Sequence, residues 1–64
     1  MPDHSSKEII KKLKSEGWQL VRVEGSHHHF RDLKTGRMTT VPHPKKSLPI
    51  GTVKAIEKQT GIKF

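Results

Sequence analysis

The sequence predicts a small α+β domain with the element order α-β-β-β-α and a three-stranded antiparallel sheet. Two stretches with apolar residues at helical spacing lie towards the two ends of the chain, at residues 6–16 and 52–60. Between them lie three short β-rich stretches that are separated by turn sequences. The apolar stripes of both helices must be buried against the sheet, so we expect both helices on the same face of it. Residues 1–64 are enough for a single domain only.

Start and stop signals flank the first helix. Ser5 and Glu8 have the spacing of a capping box, which satisfies the free N–H groups of a helix start. Gly17 can adopt the left-handed conformation that ends many helices, and Trp18 beyond it can pack back on Leu13. The remaining positions divide into an apolar face and a lysine face, formed by Ile9, Ile10 and Leu13 and by Lys7, Lys11, Lys12 and Lys14.

Three strands joined by short turns follow the first helix. The β-rich stretches are residues 18–23, 27–32 and 37–41. Glu24 and Gly25 predict a tight reversal between the first two strands, and residues 33–36 predict a second turn. Pro42 ends the third strand because proline has no N–H to donate to a neighbouring strand. The predicted sheet is therefore an antiparallel meander.

Residues 42–49 are predicted to be irregular and relatively stiff. The segment contains three prolines, each of which restricts its own backbone and that of the residue before it. This stiffness fixes where Lys45 and Lys46 are displayed.

The second helix is predicted over residues 52–60, with Val53 and Ile56 facing inward. Gly61 is expected to end it, and Ile62 can then close onto Ile56. The sheet face that the helices leave open would carry polar and basic side chains. This is the architecture of a small double-stranded-RNA-binding-like domain.

Composition narrows the kinds of partner that the chain can have. The formal net charge is +7 on 64 residues, which points to a polyanion or an acidic protein as a partner. The chain contains no cysteine, so thiol catalysis and thiolate zinc sites are excluded. It has no apolar run long enough for a membrane span, so we expect a cytoplasmic protein without a membrane partner.

The run Gly25-Ser26-His27-His28-His29-Phe30 is the strongest candidate for a functional site. In a strand, side chains alternate between the two faces, so His27 and His29 share one face while His28 and Phe30 share the other. Phe30 is expected in the core, which leaves His27 and His29 on the open surface. Histidine runs also occur in affinity tags and in solvated strands, but this run is short, internal and flanked by strand-like sequence.

Several motifs of the chain resemble the HicA toxins. They are Trp18 after a glycine, the run at 25–30, Val41-Pro42-His43-Pro44-Lys45-Lys46, the segment 48–54 and Gln59-Thr60-Gly61-Ile62. They occur in the family's order, with closely similar spacing, from about Ile9 to Ile62. The compact second turn and Ser47 depart from the family pattern, and neither touches the histidine run.

The resemblance implies an mRNA interferase of a toxin–antitoxin pair, with a double-stranded-RNA-binding-like fold. It implies mRNA as the substrate, a HicB-like antitoxin as the partner, and a catalytic histidine that best matches His27. No cofactor or metal is implied. Imidazole suits the role of base because its unperturbed pKa of about 6.5 leaves a neutral fraction at cellular pH.

The other site residues are predicted to assist. Gly25, Ser26, His28 and His29 are supporting candidates, and the candidates for RNA contacts are Arg22, His43, Lys45 and Lys46. His29 shares the face of His27 and could be a second acid–base group or a substrate contact. A bulge after Gly25 would exchange the faces and make His28 the base instead. The alternative to an RNA contact is a merely solvated charge for each of the two lysines. For His43 the alternative is a structural hydrogen bond.

Three alternative functions remain open on the sequence alone. A non-catalytic RNA-binding module would use the same basic face without needing a neutral imidazole. A zinc site could be formed by His27, His29 and His43, although no carboxylate is evident as a fourth ligand. A specific DNA reader is disfavoured because no helix-turn-helix pattern is found and the second helix is short.

Overall fold

The structure is a computed structural model that describes residues 4–64. Its elements are α1 (Ser6–Ser15), β1 (Trp18–Glu24), β2 (His27–Asp32), β3 (Met38–Pro42) and α2 (Ile50–Thr60). The strands form one antiparallel sheet with the spatial order β1-β2-β3. The predicted α+β class and the order α-β-β-β-α are confirmed.

Helix α1 begins at the residue that its capping box predicts and ends close to the predicted glycine. The Ser5 hydroxyl accepts a hydrogen bond from the Glu8 N–H at 3.2 Å and donates to the Glu8 carboxylate at 3.1 Å. Glu16 is the C-cap, and Gly17 follows in the left-handed region at φ +91°. The helix therefore ends one residue before the predicted boundary.

Helix α2 begins two residues earlier than predicted, and the boundary at residue 52 is wrong. The Pro49 carbonyl accepts hydrogen bonds from the N–H groups of Thr52 and Val53, at 3.0 and 3.1 Å. Pro49 is therefore the N-cap residue and Ile50 is already helical, although no side chain caps this helix. The predicted end at Thr60 is confirmed, with Gly61 at φ +76° as the C-cap.

Short connections set the register of the sheet. Glu24 pairs with His27 across a reversal formed by Gly25 and Ser26. The one irregularity between β1 and β2 lies between Leu20 and Arg22, near the middle of β1. In the second turn, the Asp32 side chain accepts hydrogen bonds from the Lys34 N–H and the Thr35 hydroxyl. Strand β3 is shifted by one residue from the prediction, since it begins at Met38 and includes Pro42.

The core lies between the sheet and the two helices. Its buried apolar members come from every element and from the segment before α2: Ile9, Leu13, Trp18, Phe30, Val41, Leu48, Val53 and Ile56. Phe30 in the middle strand is completely buried. Because side chains of both helices share this cluster with Phe30 and Val41, both helices cover the same face of the sheet.

The segment between β3 and α2 ties distant parts of the chain together. It contains no helix or strand, as predicted from its prolines. The His43 N–H donates to the Ser26 carbonyl at 2.7 Å, and the Ser6 N–H donates to the Lys45 carbonyl at 2.9 Å. The segment therefore connects the β1–β2 turn to the start of α1. No helix among residues 4–64 has the length and apolar composition needed to cross a membrane.

Candidate active site

The sheet face away from the helices, here called the open face, carries alternate residues of β2. Phe30 is buried under the helices, so His28 lies on that covered side, while His27 and His29 lie on the open face. Residues paired across strands share a face. The open face at this end of the sheet is therefore formed by Arg22, Glu24, His27, His29, Thr40 and Pro42.

His27 is the exposed histidine of the run. Its Cα partners are Glu24 in β1 and Pro42 in β3, so it lies at the end of β2 next to the Gly25–Ser26 turn. No hydrogen bond to its ring is formed within residues 4–64, and its side chain is exposed. Both ring nitrogens are thus open to a ligand, so the unprotonated one is free to take a proton, as a general base must.

His29 is held by hydrogen bonds on both ring nitrogens. Its Nε2 lies 3.0 Å from a Glu24 carboxylate oxygen, and its Nδ1 lies 2.8 Å from the Thr40 hydroxyl. A carboxylate only accepts, so in the neutral ring Nε2 carries the proton and Nδ1 accepts from Thr40. Arg22 donates to the other Glu24 oxygen at 2.7 Å. The predicted RNA contact Arg22 is therefore engaged with Glu24, although it remains exposed.

His28 lies on the covered face, against His43. The two ring centroids are 4.9 Å apart and the planes are nearly perpendicular. The His28 Nδ1 is buried, and within the described part of the chain it has no hydrogen-bond partner. The strand irregularity falls in β1 and not after Gly25, so the exchange of faces that would present His28 does not occur.

His43 is fixed by Ser6, the first residue of α1. The Ser6 hydroxyl is 2.6 Å from His43 Nδ1, accepts from the Lys45 N–H at 2.8 Å, and lies 3.1 Å from the Lys45 carbonyl. One hydroxyl satisfies all three groups if it accepts from His43 and donates to the carbonyl. His43 therefore has the structural hydrogen bond that was one of its two alternatives. Its predicted contact with RNA stays a prediction.

Lys45 and Lys46 flank a groove together with the start of α1. The groove encloses about 420 Å³ and is lined by Ser5, Ser6, Lys7, Pro44, Lys45 and Lys46. The three lysines are exposed, and none forms an ion pair with a residue of the range 4–64. We call this feature the lysine groove. The segment that carries Lys45 and Lys46 is attached to the turn before His27, because the His43 N–H donates to the Ser26 carbonyl.

The proposed zinc ligands are not brought together. His43 lies on the covered side with His28, whereas His27 and His29 lie on the open face. Within residues 4–64, no group of three or more histidine, cysteine, aspartate or glutamate side chains is placed to hold a metal ion. The geometry therefore gives the zinc alternative no site.

Four residues of this region were missed by the sequence reasoning. Glu24 was assigned only to the turn, although the two-residue reversal places it opposite His27. Thr40 becomes visible only from the pairing between β2 and β3. The places of Ser6 and Lys7 in this region were not predicted, because they depend on the segment of Pro44, Lys45 and Lys46 lying against the start of α1.

Comparison with protein families gives one match that covers nearly the whole chain. The family model described as the HicA toxin of bacterial toxin–antitoxin matches residues 6–62, from the first residue of α1 to beyond the end of α2. A search of the curated proteins finds no match. The chain belongs to the HicA toxin family.

Proposed function

We propose that this toxin is an endoribonuclease that cleaves mRNA, with His27 as the general base. The observation that carries the proposal is the His27 ring, which is exposed and unbonded within residues 4–64. It follows a turn whose Ser26 carbonyl accepts from the N–H of His43, two residues before Lys45. Membership of a toxin family adds to it. A base that acts on RNA benefits from nearby positive charge that attracts the polyanion, whereas a merely solvated histidine gains nothing from it.

The proposed reaction begins at the ribose. His27 removes the proton of a 2′-hydroxyl, and the oxygen attacks the adjacent phosphorus. Negative charge then develops on the non-bridging oxygens, where nearby cations stabilise it. The attack yields a 2′,3′-cyclic phosphate on one product and a 5′-hydroxyl on the other. The nucleophile belongs to the RNA, so neither a protein nucleophile nor a metal-bound hydroxide has to be supplied.

Incubation of the purified protein with mRNA in the presence of a chelator tests this function directly. We expect fragments to accumulate. RNA binding without any cleavage would instead favour a non-catalytic RNA-binding module, because the lysine groove suits either function.

The lysine groove is proposed to bind RNA phosphates. Replacing Lys45 and Lys46 by alanine should weaken RNA binding and reduce the slope of log affinity against log salt by up to about two units. Each lost phosphate contact accounts for roughly 0.7–0.9 of that slope. Binding measured over a salt series reports both effects.

A matched control removes the same charge elsewhere. Lys58 and Lys63 are exposed, and Gly61 between them lies near Arg37, at the end of the sheet away from the Gly25–Ser26 turn. Their double alanine variant should keep most of the affinity. If the two double variants lose affinity equally, the lysine groove has no special role and only net charge matters.

A toxin of this family has an antitoxin partner, and we propose a HicB-like protein that covers His27. The net charge of +7 favours an acidic antitoxin surface. Such a surface would also neutralise the positive potential that attracts RNA. Binding to the folded toxin should stabilise it by mass action.

The expected result is that a complex with the HicB-like antitoxin neither cleaves RNA nor allows modification of His27. Chemical modification followed by mass spectrometry, on free toxin and on complex, measures the accessibility of the ring. A tight complex in which His27 stays as reactive as in free toxin and RNA is still cut would exclude occlusion of this site.

A further inference from the structure

Four side chains on the open face form a chain of hydrogen bonds across all three strands. Arg22 donates to Glu24 at 2.7 Å, Glu24 accepts from His29 at 3.0 Å, and His29 lies 2.8 Å from the Thr40 hydroxyl. The His29 side chain is only 24% exposed, so its ring is largely shielded from solvent. Thr40, its partner on β3, is the last member of this chain of hydrogen bonds. The function proposed for His27 assigns no role to these four side chains.

The direction of the hydrogen bonds depends on the protonation of His29. In the neutral ring, Nδ1 has no proton and the Thr40 hydroxyl donates to it. In the imidazolium, both nitrogens are donors, so Nε2 still donates to Glu24 and Nδ1 now donates to Thr40. The Thr40 hydroxyl then accepts from the ring and no longer donates its own proton to it. Within residues 4–64 it has no other hydrogen-bond acceptor, so it is available to a ligand on the open face.

Thr40 is placed at a suitable distance from His27. Thr40 is the cross-strand partner of His29, and His27 lies two residues from His29 on the same face. Such diagonal neighbours in an antiparallel pair are about 7–8 Å apart. Base and acid each work within about 2.6–3.2 Å of the oxygen that they serve. A separation of this order matches the span of a phosphodiester whose 2′-oxygen meets the base and whose 5′-oxygen meets the acid.

We propose that Thr40 is the general acid of this site and that it protonates the departing 5′-oxygen of the RNA. The inference rests on the function proposed for His27. As the bond from the 2′-oxygen to phosphorus forms, His27 takes the 2′-hydroxyl proton. As the bond from phosphorus to the 5′-oxygen breaks, Thr40 gives its proton to that oxygen and takes one from Nδ1 of the His29 imidazolium. Solvent then returns a proton from His27 to His29, so protons balance over the cycle.

Glu24 and Arg22 act through His29 and are positioning residues. The Glu24 carboxylate accepts from Nε2 in both protonation states, so it keeps Nδ1 directed at Thr40. It also offsets the positive charge of the imidazolium. Arg22 holds the second carboxylate oxygen at 2.7 Å and thereby fixes the carboxylate.

A substrate with a better leaving group separates an acid from a base. RNA that carries a bridging 5′-sulfur at the mapped cut site has a thiolate leaving group, which needs no proton because thiols have a pKa near 8.5. The variants are Thr40→Val, which replaces the hydroxyl by a methyl group, Thr40→Ser, which keeps the hydroxyl, and His27→Ala. Each is compared with wild-type toxin on the oxygen and the sulfur substrate, after circular dichroism has verified the fold.

We expect Thr40→Val to cut the oxygen substrate about 10²–10⁴-fold more slowly than wild type. The same variant should cut the sulfur substrate at nearly the wild-type rate, and Thr40→Ser should cut both within a few fold. His27→Ala should be slow on both substrates. Glu24→Gln should slow cleavage of the oxygen substrate more than that of the sulfur substrate.

Two outcomes overturn the assignment of Thr40. One is wild-type cleavage of the oxygen substrate by Thr40→Val, and the other is an equal loss on both substrates, which marks a merely structural role. Failure of the wild-type toxin to cut either substrate is a different result. It overturns the ribonuclease function itself and the role of Thr40 with it.

Discussion

Replacing His27 by alanine should reduce RNA cleavage by about 10²–10⁴-fold, the usual contribution of a general base. The fold should be unaffected, because the ring is exposed and makes no hydrogen bond within residues 4–64. Single-turnover cleavage rates and circular dichroism of the variant and the wild type measure both expectations. Growth inhibition by the expressed toxin should be lost in parallel.

The neighbouring histidine provides the control. His28 packs against His43 on the covered face, so His28→Ala should lower the stability of the toxin while leaving cleavage intact wherever the protein is folded. The opposite pattern, with His27→Ala cutting at the wild-type rate and folded His28→Ala inactive, would contradict the assignment of the base.

The second large effect is expected on stability. Phe30 is fully buried between the sheet and the helices, and truncation of such a side chain to alanine costs about 3–5 kcal/mol. The core of a domain this small supplies only about 3–5 kcal/mol of net stability. Phe30→Ala should therefore be largely unfolded, which urea titration followed by circular dichroism detects.

Exposed apolar residues of the same sheet region provide a comparison. Leu33 and Met38 are 63% and 54% exposed, so alanine at either position should change the free energy of unfolding by about 0.5 kcal/mol or less. A Phe30→Ala variant with the same urea midpoint as these two would show that the core is not organised around β2.

Local chemistry made most of the fold predictable. Ser5, Glu8 and Gly17 mark the ends of α1 by satisfying backbone groups that any helix end leaves free. Alternation along β2, with Phe30 inward, was enough to predict that His27 and His29 share the open face. These features depend on neighbours in the sequence, so periodicity and turn residues reveal them.

The parts that were missed depend on contacts between distant segments. The early start of α2 was missed because its N-cap is Pro49, which has no capping side chain to mark the helix start in the sequence. The partnership of His29 with Thr40 requires the register between β2 and β3. The hydrogen bonds of Ser6 require a segment 37 to 39 residues away to fold over the start of α1.

The same distinction applies to the candidate site. The histidine run and the two lysines stand out in the sequence by residue type. The different surroundings of the three histidines cannot be read from the sequence, because they depend on what each ring contacts. His27 is exposed, His29 is held by Glu24 and Thr40, and His28 packs against another ring.

The nature of the RNA ends tests the central claim most directly. Wild-type toxin is incubated, with a chelator present, with an RNA oligonucleotide and with its counterpart that carries one 2′-deoxyribose at the mapped cut site. Attack by the 2′-hydroxyl, with His27 as base, predicts 2′,3′-cyclic phosphate ends on the RNA and no cleavage at the deoxy position. Cleavage at the deoxy position, or products with 3′-hydroxyl ends, would contradict it.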